Sequence, residues 1–510
     1  MMVHQLLSNA ASARPDAVAV VHDDDRLTFG ELNTKSDSLA AYLQREWGAK
    51  RGRHICILYE NCPEYVVSYF AILKTGATVV SVNSAEAPDK MRHSIAHADS
   101  TGLIGSTVIW RKMAAKAGIP ETVLNAMDYR AGRRLVKDGN SDDAAIVVPD
   151  AVPEDPHGID LDLAEIVYTS GSTSNPKGVM LSHRNLTTNM ASIQDYFKLR
   201  TDDSVVVILP LSYIYGKSLL LTHVQVGAKI IIDNRFTYPA LVLETLVKEK
   251  ATGFAGVPST YSILTAKTAL AKTEMPHLRY VAQAGGAMAP TLQQDVIDAV
   301  APARLFVMYG ATEAAPRLTW LPPERLKDKI GSIGIPLTNV EMIIRGPEGQ
   351  SLGPGEEGEL AARGSNIMQG YWKDPENTER VLKDGYYLTG DIGFRDDEGY
   401  YFITGRKSDF IKVKGFRISC KEVEECLLEL EEVHEVAVIP APDPVFGEVI
   451  RACITPAEIG TEVFRTRAER HIAGRIGGNK VPGQWDFRDA LPKNSSGKIM
   501  KEQLKKELKQ

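Results

Sequence analysis

Small and hydroxyl-bearing residues gather in one segment whose order suggests a loop that could hold phosphate groups. The segment reads Tyr168-Thr169-Ser170-Gly171-Ser172-Thr173-Ser174-Asn175-Pro176-Lys177-Gly178. Small residues let the backbone approach an anion closely, and hydroxyl groups add hydrogen-bond donors beside exposed N–H groups. Lys177 can supply positive charge to a polyphosphate. By composition alone, a flexible solvated turn explains the segment about as well as a nucleotide loop.

The order of these residues excludes the P-loop of kinases and GTPases. In that loop the lysine follows the last glycine and a helix begins directly after it, whereas here Lys177 precedes Gly178 and no helix pattern follows at once. The acidic and apolar residues 161–167 that precede the loop predict a strand. We therefore expect the loop to begin where a strand ends.

Strand and helix patterns alternate through the first 150 residues. Residues 54–59 predict a buried strand, residues 64–74 a helix, and residues 77–82 a second strand. Thr28 and Glu31 form a capping-box pattern at the start of another helix. Such repetition predicts parallel sheets with helices packed on their faces. Further strands are predicted at residues 205–209, 228–233, 253–257, 280–284 and 305–309.

The sequence changes character twice in its last third. Short strands with many glycines predict an antiparallel or barrel-like unit over residues 331–402. The last hundred residues are more charged, and we place the main domain boundary at 404–409. The predicted fold class is a large α/β N-terminal domain of residues 1–404, followed by a small mobile α+β C-terminal domain of residues 405–510.

Composition and charge narrow the class of protein. The 510 residues include 59 Lys and Arg and 65 Asp and Glu, a net charge of −6, which argues against a dedicated nucleic-acid or membrane-surface protein. Apolar residues make up 44% of the chain, which excludes wholesale disorder. No apolar run reaches about 18 residues and no secretory signal is visible, so we expect no transmembrane segment and a cytoplasmic location. The odd number of cysteines, without a Cys-x-x-Cys pair, predicts buried, reduced thiols.

Five further motifs follow the loop along the chain. They are Gly285-Gly286-Ala287-Met288-Ala289-Pro290, Tyr309-Gly310-Ala311-Thr312-Glu313, Tyr387-Leu388-Thr389-Gly390-Asp391, Gly405-Arg406 with Lys412-Val413-Lys414-Gly415-Phe416-Arg417, and Pro492-Lys493-Asn494-Ser495-Ser496-Gly497-Lys498. Together they resemble, over nearly the whole chain, the signature of the adenylate-forming superfamily. That superfamily comprises acyl-CoA and aryl-CoA synthetases, adenylation domains of nonribosomal peptide synthesis, and firefly luciferase. Within the superfamily, the sequence most resembles the free-standing acyl- or aryl-CoA ligases.

The resemblance implies that the larger domain binds ATP, Mg²⁺ and a carboxylic acid. It assigns the phosphates to Thr169, Ser170, Gly171, Ser172, Thr173 and Lys177, and the adenine side to Gly285, Gly286, Ala287, Tyr309, Gly310 and Ala311. Thr312 would touch the α-phosphate, and Glu313 would bind Mg²⁺, a hard cation that prefers carboxylate oxygens. Asp391 would accept hydrogen bonds from the ribose hydroxyls, and Arg406 could reach the same sugar or the phosphates.

Lys498 is the expected catalytic residue beside Thr312 and Glu313, because its ammonium could bridge the substrate carboxylate and the α-phosphate. Taken singly, these residues have plainer explanations. Lys498 could be one of several lysines in a basic tail, Glu313 could form a surface ion pair, and Tyr309 could be a core tyrosine. It is their place within the motifs that favours the catalytic interpretation.

The resemblance also implies a second half-reaction, in which the acyl group passes to the thiol of CoA or of a carrier protein's phosphopantetheine. In the family the small domain swings about a hinge, so that Lys498 leaves and the face carrying Lys412 and Gly415 arrives. The hinge position is Ser408, with Asp409 as the alternative.

The acid pocket is predicted from the segment 210–216. Ile214 stands where members that activate α-amino acids carry an Asp for the substrate ammonium, and an unpaired buried ammonium is costly. A fatty or aryl acid is therefore expected. Tyr213 replaces a frequent His and could still form a wall of the pocket. Lys217 either faces the pocket or forms an ion pair at the helix surface.

Three functions remain open at this point. The favoured one is a ligase of fatty acid metabolism or a related route, acting on a small carboxylic acid with ATP and CoA, as a monomer or homodimer and without nucleic acid. The second is a stand-alone enzyme that loads a separate acyl or peptidyl carrier protein. The third is a non-catalytic nucleotide-binding scaffold, which would not require Lys498.

Overall fold

Two large sheets and two small ones contain the strands of the described chain. The structure is a computed structural model that describes residues 1–139, 141–148, 150–169, 176–407, 410–413, 416–443, 447–455, 461–493 and 499–508. The strands are β1 Val18–His22, β2 Asp25–Thr28, β3 His54–Leu58, β4 Thr78–Ser81, β5 Gly102–Gly105, β6 Asn125–Asp128, β7 Arg133–Leu135, β8 Ser141–Ala145, β9 Leu163–Thr169, β10 Lys177–Ser182, β11 Ser204–Val207, β12 Lys229–Ile232, β13 Gly253–Gly256, β14 Tyr280–Gln283, β15 Arg304–Gly310, β16 Arg317–Leu321, β17 Ser332–Pro336, β18 Val340–Arg345, β19 Gly358–Gly364, β20 Gly370–Tyr371, β21 Leu382–Lys383, β22 Tyr386–Arg395, β23 Tyr401–Arg406, β24 Phe410–Val413, β25 Phe416–Ser419, β26 Glu435–Asp443, β27 Gly447–Thr455 and β28 Gln484–Phe487.

The helices connect these strands and cover the sheets. They are α1 His4–Ala13, α2 Phe29–Trp47, α3 Pro63–Lys74, α4 Pro88–His97, α5 Thr107–Ala117, α6 His183–Phe197, α7 Ile214–Val226, α8 Pro239–Lys248, α9 Pro258–Lys267, α10 Pro290–Val300, α11 Pro375–Val381, α12 Cys420–Leu428, α13 Glu462–Arg475 and α14 Lys501–Glu507. The predicted capping box is present, since Thr28 and Glu31 exchange side-chain and backbone hydrogen bonds at the start of α2. No helix of the described residues is long and apolar enough to cross a membrane.

The first sheet has a parallel part and an antiparallel part. Strands β1, β12, β11, β13, β14 and β15 are parallel neighbours in that order. From β16 onward the pairing is antiparallel, through β17, β23, β22 and β19 to β18. The predicted antiparallel unit is therefore confirmed, and it continues directly from the parallel strands.

The second sheet carries the strand that leads into the proposed phosphate loop. Strands β3, β4, β5 and β6 are parallel, and β9 joins them beside β4. β10 then pairs antiparallel with β9, and β20 pairs with β10. The α/β class with parallel sheets and packed helices is confirmed.

The largest hydrophobic cluster joins the two sheets. Almost every residue of α3 and α7 is buried, as expected for helices that pack between sheets with apolar residues all round. Side chains from both sheets contribute to this cluster, among them Ile57, Val79, Val207 and Phe306. Helix α7 is therefore held on all sides, which fixes the residues at its first turn. All five cysteines are buried and free, as predicted.

The C-terminal residues form a smaller α+β unit. Strands β26, β27 and β28 make a separate sheet, and α12 and α13 pack with it around their own hydrophobic cluster. Helix α12 is capped by Ser419, whose hydroxyl accepts a hydrogen bond from the N–H of Glu422. The same hydroxyl donates to the carbonyl of Thr404, and the ammonium of Lys421 donates to the carbonyl of Ile403. These bonds attach the start of α12 to β23.

Candidate active site

The proposed phosphate loop closes a hairpin between two strands of the second sheet. Thr169 is the last residue of β9 and Lys177 is the first of β10, and the two lie opposite each other in the antiparallel register. Residues 170–175, which include Ser170, Gly171, Ser172 and Thr173, lie outside the described residues. The prediction that the loop begins where a strand ends is confirmed, and Lys177 stands at its far end.

Lys177 and Glu313 are brought to the same side chain, Tyr371. The ammonium of Lys177 lies 4.9 Å from the centre of the Tyr371 ring, a cation–π distance. The Tyr371 hydroxyl donates a 2.7 Å hydrogen bond to Oε1 of Glu313. Burial, and then the nearby Glu313 carboxylate, raise the pKa of Tyr371, so this hydroxyl remains a donor. The lysine assigned to phosphate and the carboxylate assigned to metal are thus neighbours.

The carboxylate of Glu313 is placed as a ligand for a magnesium ion would be. Glu313 is half-buried, and no lysine or arginine of the described chain forms an ion pair with it. Tyr371 engages one carboxylate oxygen, which leaves Oε2 for a hard cation. Sequence reasoning did not identify Tyr371, because its role arises from the pairing of β20 with β10, where it lies opposite Val179.

Asp391 is held between Tyr309 and Arg406. The Tyr309 hydroxyl donates a 2.5 Å hydrogen bond to Oδ2 of Asp391, and Nε of Arg406 donates a 2.8 Å bond to Oδ1. The Asp391 side chain is buried, whereas Arg406 is largely exposed. Burial, followed by the Asp391 charge, raises the pKa of Tyr309 well above its usual range. This polar cluster unites the predicted ribose carboxylate, the adenine-side tyrosine and the arginine beside the hinge.

Thr312 lies between these two clusters. It begins a 3₁₀ turn, Thr312–Ala314, that is separated from β15 by Ala311, and its side chain is buried. Gly310 precedes the turn with no room for a side chain, because a Cβ there would lie 1.9 Å from the carbonyl oxygen of Pro316. The Tyr309–Glu313 segment therefore spans the distance between the Asp391 cluster and the Glu313 cluster, with Thr312 and Ala311 between them.

The predicted adenine loop contacts the predicted wall of the acid pocket. Gly285, Gly286 and Ala287 are exposed and follow β14, and Gln283 donates a 2.7 Å bond from its side chain to the carbonyl of Gly286. A Cβ on Gly285, whose φ is +87°, would lie 3.5 Å from the hydroxyl of Tyr213. Nucleotide-side and acid-side residues are thus adjacent at this edge of the first sheet.

Tyr213 and Ile214 occupy the start of α7. Tyr213 is the N-cap residue and is partly buried, and burial raises the pKa of its hydroxyl. Ile214 is buried and apolar. A fixed helix start of this kind can hold the wall of a pocket with little rearrangement.

Lys217 lies neither in an open pocket nor on a helix surface, the two alternatives that the sequence left. Its side chain is 1% exposed and its ammonium forms a 3.0 Å ion pair with Glu165 of β9. Tyr65 and Ser81 accept further hydrogen bonds from it. Burial lowers the pKa of Lys217 to about 8, and the Glu165 charge opposes that shift.

Several predicted residues cannot be located in this way. Ser408, Asp409, Gly415 and Lys498 lie outside the described residues, as do the loop positions 170–173. Lys412 belongs to β24, whose backbone alone is described there. Their assigned roles stay predictions.

Comparison with known proteins identifies the family of this chain. Residues 7–372 match the family model "AMP-binding enzyme", and residues 422–498 match "AMP-binding enzyme C-terminal domain". The chain belongs to the AMP-binding, adenylate-forming superfamily. Within it, the chain is an enzyme of the AMP-forming acid–CoA ligase family, with acyl/aryl-CoA ligase-type adenylation.

Relatives from two substrate groups are similar over nearly their whole length. A feruloyl-CoA synthase from Amycolatopsis sp is 33% identical over 498 residues, covering 97% of each chain. A long-chain-fatty-acid–CoA ligase from Bacillus subtilis (strain 168) is 28% identical over 542 residues, covering 99% of this chain and 94% of that one. Among solved structures, an o-succinylbenzoate coenzyme A synthetase from Bacillus subtilis in complex with ATP and a magnesium ion has a TM-score of 0.84 at 26% identity, covering 98% and 99%.

Proposed function

We propose that this enzyme activates a carboxylic acid without an α-ammonium group, fatty or aryl in type, and transfers it to the thiol of CoA. In the first step a carboxylate oxygen attacks the α-phosphorus of ATP, a P–O bond breaks, and pyrophosphate leaves. In the second step the thiol sulfur attacks the acyl carbon, the thiol gives up its proton, and AMP leaves. The first step needs mainly positioning and charge neutralisation.

One observation carries the proposal. The segment from Tyr309 to Glu313 meets the ribose carboxylate Asp391 at one end and the Lys177–Tyr371 pair at the other. One ATP molecule needs its binding groups in this order: a carboxylate at the ribose, a hydroxyl at the α-phosphate and a cation at the terminal phosphates. A scaffold that only bound a nucleotide would have no need of the catalytic lysine motif that ends at Lys498.

The residues have distinct tasks in this mechanism. Asp391 orients the ribose, Thr312 contacts the α-phosphate, and Lys177 neutralises the terminal phosphates with the loop residues 169–173. Glu313 would hold Mg²⁺, which supplies charge stabilisation to the phosphate oxygens when bound. Lys498 neutralises the carboxylate and the α-phosphate as they approach each other.

We assign the two steps to two positions of the C-terminal domain. Residues 1–404 form the body and residues 405–510 the lid, which turns at Ser408 between adenylation and thiol transfer. Lys498 faces the site in the first position, and the face with Lys412 and Gly415 in the second. The thiol comes from outside the chain, because all five cysteines are buried and out of reach of a substrate. Burial also raises the pKa of Cys62 and Cys453 to about 12 and that of Cys426 to about 11, which disfavours the thiolate.

A panel of acids tests the proposal. With ATP and Mg²⁺, fatty or aryl acids should support exchange of labelled pyrophosphate into ATP, whereas α-amino acids should not. Addition of CoA should then give a thioester whose mass identifies the acyl group. Exchange without a CoA thioester, together with loading of a phosphopantetheinylated carrier, would replace CoA by a carrier as acceptor. No exchange with any acid would reject the enzymatic proposal.

A further inference from the structure

A buried arginine, Arg317, lies against the first turn of α7 and has no carboxylate partner among the described residues. Lys74, Lys217 and Arg317 are the lysine and arginine residues that are buried in the described chain. Lys74 pairs with Asp37 and Lys217 pairs with Glu165, each within 3.0 Å. Arg317 is 3% exposed and forms no ion pair with any described carboxylate. Arginine cannot shed its charge in a protein, so this cation stays charged in the interior.

The guanidinium of Arg317 contacts neutral groups among the described residues: the ring of Tyr215, the thioether of Met308 and the hydroxyl of Tyr196. Its central carbon lies 4.2 Å from the centre of the Tyr215 ring. Its Nε points to the sulfur of Met308 at 3.4 Å, and a thioether is a weak acceptor. Burial raises the pKa of Tyr213, Tyr215 and Tyr196, and the guanidinium opposes that rise in all three. The positive charge of Arg317 therefore acts on the hydroxyl of Tyr213, the predicted wall of the acid pocket.

The backbone of Arg317 is held by two asparagines. Asn189 accepts a hydrogen bond from the Arg317 N–H and donates one to its carbonyl. The side chain of Asn366 donates to the same carbonyl at 3.0 Å and to the carbonyl of Ala314. The backbone that carries the Arg317 side chain is therefore fixed before any ligand binds, which lowers the ordering cost of recognition.

Arg317 and Asp391, the predicted ribose ligand, lie on opposite faces of the first sheet. Met308 and Tyr309 are successive residues of β15, so their side chains point to opposite faces. Tyr309 reaches Asp391, whereas Met308 contacts Arg317. Met308, Tyr213 and Tyr215 belong to the same hydrophobic cluster. Arg317 consequently lies on the side of α7 and the acid rather than on the side of the sugar.

We propose that Arg317 is a specificity-determining residue that binds a second carboxylate on the acid substrate, so that the enzyme acts on dicarboxylic acids. This inference rests on the proposed function and names the class of acid. The planar guanidinium can receive a carboxylate through two parallel N–H bonds. A buried cation without an anionic partner is costly, and the distal carboxylate of the substrate would lower that cost on binding. An acid with a methyl end would leave the guanidinium unpaired.

Matched acids test the inference directly. Pyrophosphate exchange is measured with hexanoate against adipate, octanoate against suberate, and cinnamate against 4-carboxycinnamate. We expect the wild-type kcat/KM to be at least about tenfold higher for the dicarboxylate of a pair that fits the pocket. Arg317→Met should lower kcat/KM for that dicarboxylate roughly 100-fold and leave the partner acid within about threefold. Arg317→Lys, which keeps the positive charge but lacks the paired N–H groups of the guanidinium, should recover part of the loss.

Two further measurements separate recognition from folding. The preferred dicarboxylate alone should raise the thermal midpoint of the wild type and not that of Arg317→Met, since a ligand stabilises only the state that binds it. Arg363→Met, which removes an exposed arginine paired with Glu341, serves as the matched control and should behave as the wild type in both assays.

The outcomes distinguish the two proposals. A wild-type preference for the monocarboxylate in every pair, or an equal loss for both members of a pair in Arg317→Met, overturns the assignment of Arg317 while acid activation stands. Absence of exchange with all acids of both kinds rejects acid activation, and the assignment of Arg317 with it.

Discussion

Glu165 and Lys217 form an ion pair in the interior, with 3.0 Å between Oε1 and Nζ. Glu165 lies on β9, which leads into the predicted phosphate loop, and Lys217 lies on the first turn of α7, which begins at the predicted wall of the acid pocket. Ser81 donates a 2.6 Å bond to the same oxygen of Glu165, and Tyr69 donates to the other one. The pair thus joins the strand before the predicted phosphate loop to the helix that begins at the predicted acid pocket.

Breaking this pair should destabilise the N-terminal part of the protein strongly. Lys217→Met leaves a buried carboxylate unpaired, and we expect a loss of about 3–5 kcal/mol in the free energy of unfolding. The double variant Glu165→Leu/Lys217→Met should recover most of that loss, since no charge then remains unpaired. Urea denaturation followed by tryptophan fluorescence measures all three proteins.

Lys373→Met is the matched control for this cycle. Lys373 pairs with Asp99 at the surface, where both side chains are about half exposed, and its loss should cost at most about 1 kcal/mol. If Lys217→Met costs no more than this control, the interior pair does not contribute as its burial implies.

Stability should fall as the pH is lowered below neutrality, because buried histidines are held neutral. Burial lowers the pKa of His223 to about 4 and that of His183 to about 3. His223 donates from Nδ1 to the carbonyl of Leu219, so its Nε2 accepts from the Tyr280 hydroxyl, and a proton on Nε2 would require that hydroxyl to rotate and accept instead. Below pH 6.5 the unfolded chain binds protons that the folded chain does not, so the stability present above pH 6.5 is lost towards pH 4.

Each such histidine contributes a slope of about 1.4 kcal/mol per pH unit over that range. His223→Gln should therefore make the fall in thermal midpoint between pH 6.5 and pH 4.5 shallower. His157→Gln, at an exposed position, should leave the slope unchanged. A slope in His223→Gln equal to that of the wild type would contradict the assignment.

Removal of Lys498 should separate the two half-reactions. We expect Lys498→Ala to lower acid-dependent pyrophosphate exchange by at least about 100-fold, because a charge that neutralises the reacting groups is lost. Thioester formation from supplied acyl-adenylate and CoA should remain within about tenfold of the wild type. Lys493→Ala is the control, since Lys493 is occupied by an ion pair with Glu435. Equal loss of both half-reactions in Lys498→Ala would refute the two-position mechanism.

Variants of Glu313 and Tyr371 should need more Mg²⁺ than the wild type for the same rate of pyrophosphate exchange. Glu313→Gln keeps the shape of the side chain but removes its charge, so the Mg²⁺ concentration for half-maximal exchange should rise by about tenfold or more. Tyr371→Phe removes only the 2.7 Å bond that orients the carboxylate, and a smaller shift is expected. Tyr386→Phe, which removes a hydroxyl that donates to Glu341 at the surface, should not shift the titration. A shift in that control, or none in Glu313→Gln, would count against the metal site.

Local patterns in the sequence predicted much of the fold. The capping box at Thr28, the strand before the loop and the antiparallel strands after residue 331 each depend on neighbours along the chain, and all are present. The adenylate-forming family was also recognisable, because its motifs are contiguous. Both conclusions rest on short-range order that a single sequence displays.

Contacts between distant segments could not be read in the same way. Glu165 reaches Lys217 because β9 and α7 pack together, and Tyr371 reaches Glu313 because β20 pairs with β10. The apolar residues of α7 indicate a buried helix, but they do not show which carboxylate would pair with Lys217, because Glu165 lies on a distant strand. Arg317 was overlooked for the same reason, as its missing carboxylate becomes visible only when all neighbours in space are known.

The ladder between β22 and β23 places Asp391 directly opposite Arg406. The strand that carries Arg406 also supplies the carbonyls of Ile403 and Thr404, which hold the start of α12. A ribose that donates hydrogen bonds to Asp391 would compete with Arg406 for the same carboxylate oxygens. Arg406 lies at the end of β23, the strand to which the start of α12 is attached. If the C-terminal domain moves as proposed, nucleotide binding and release of that domain would act on the same strand, and binding would come before release.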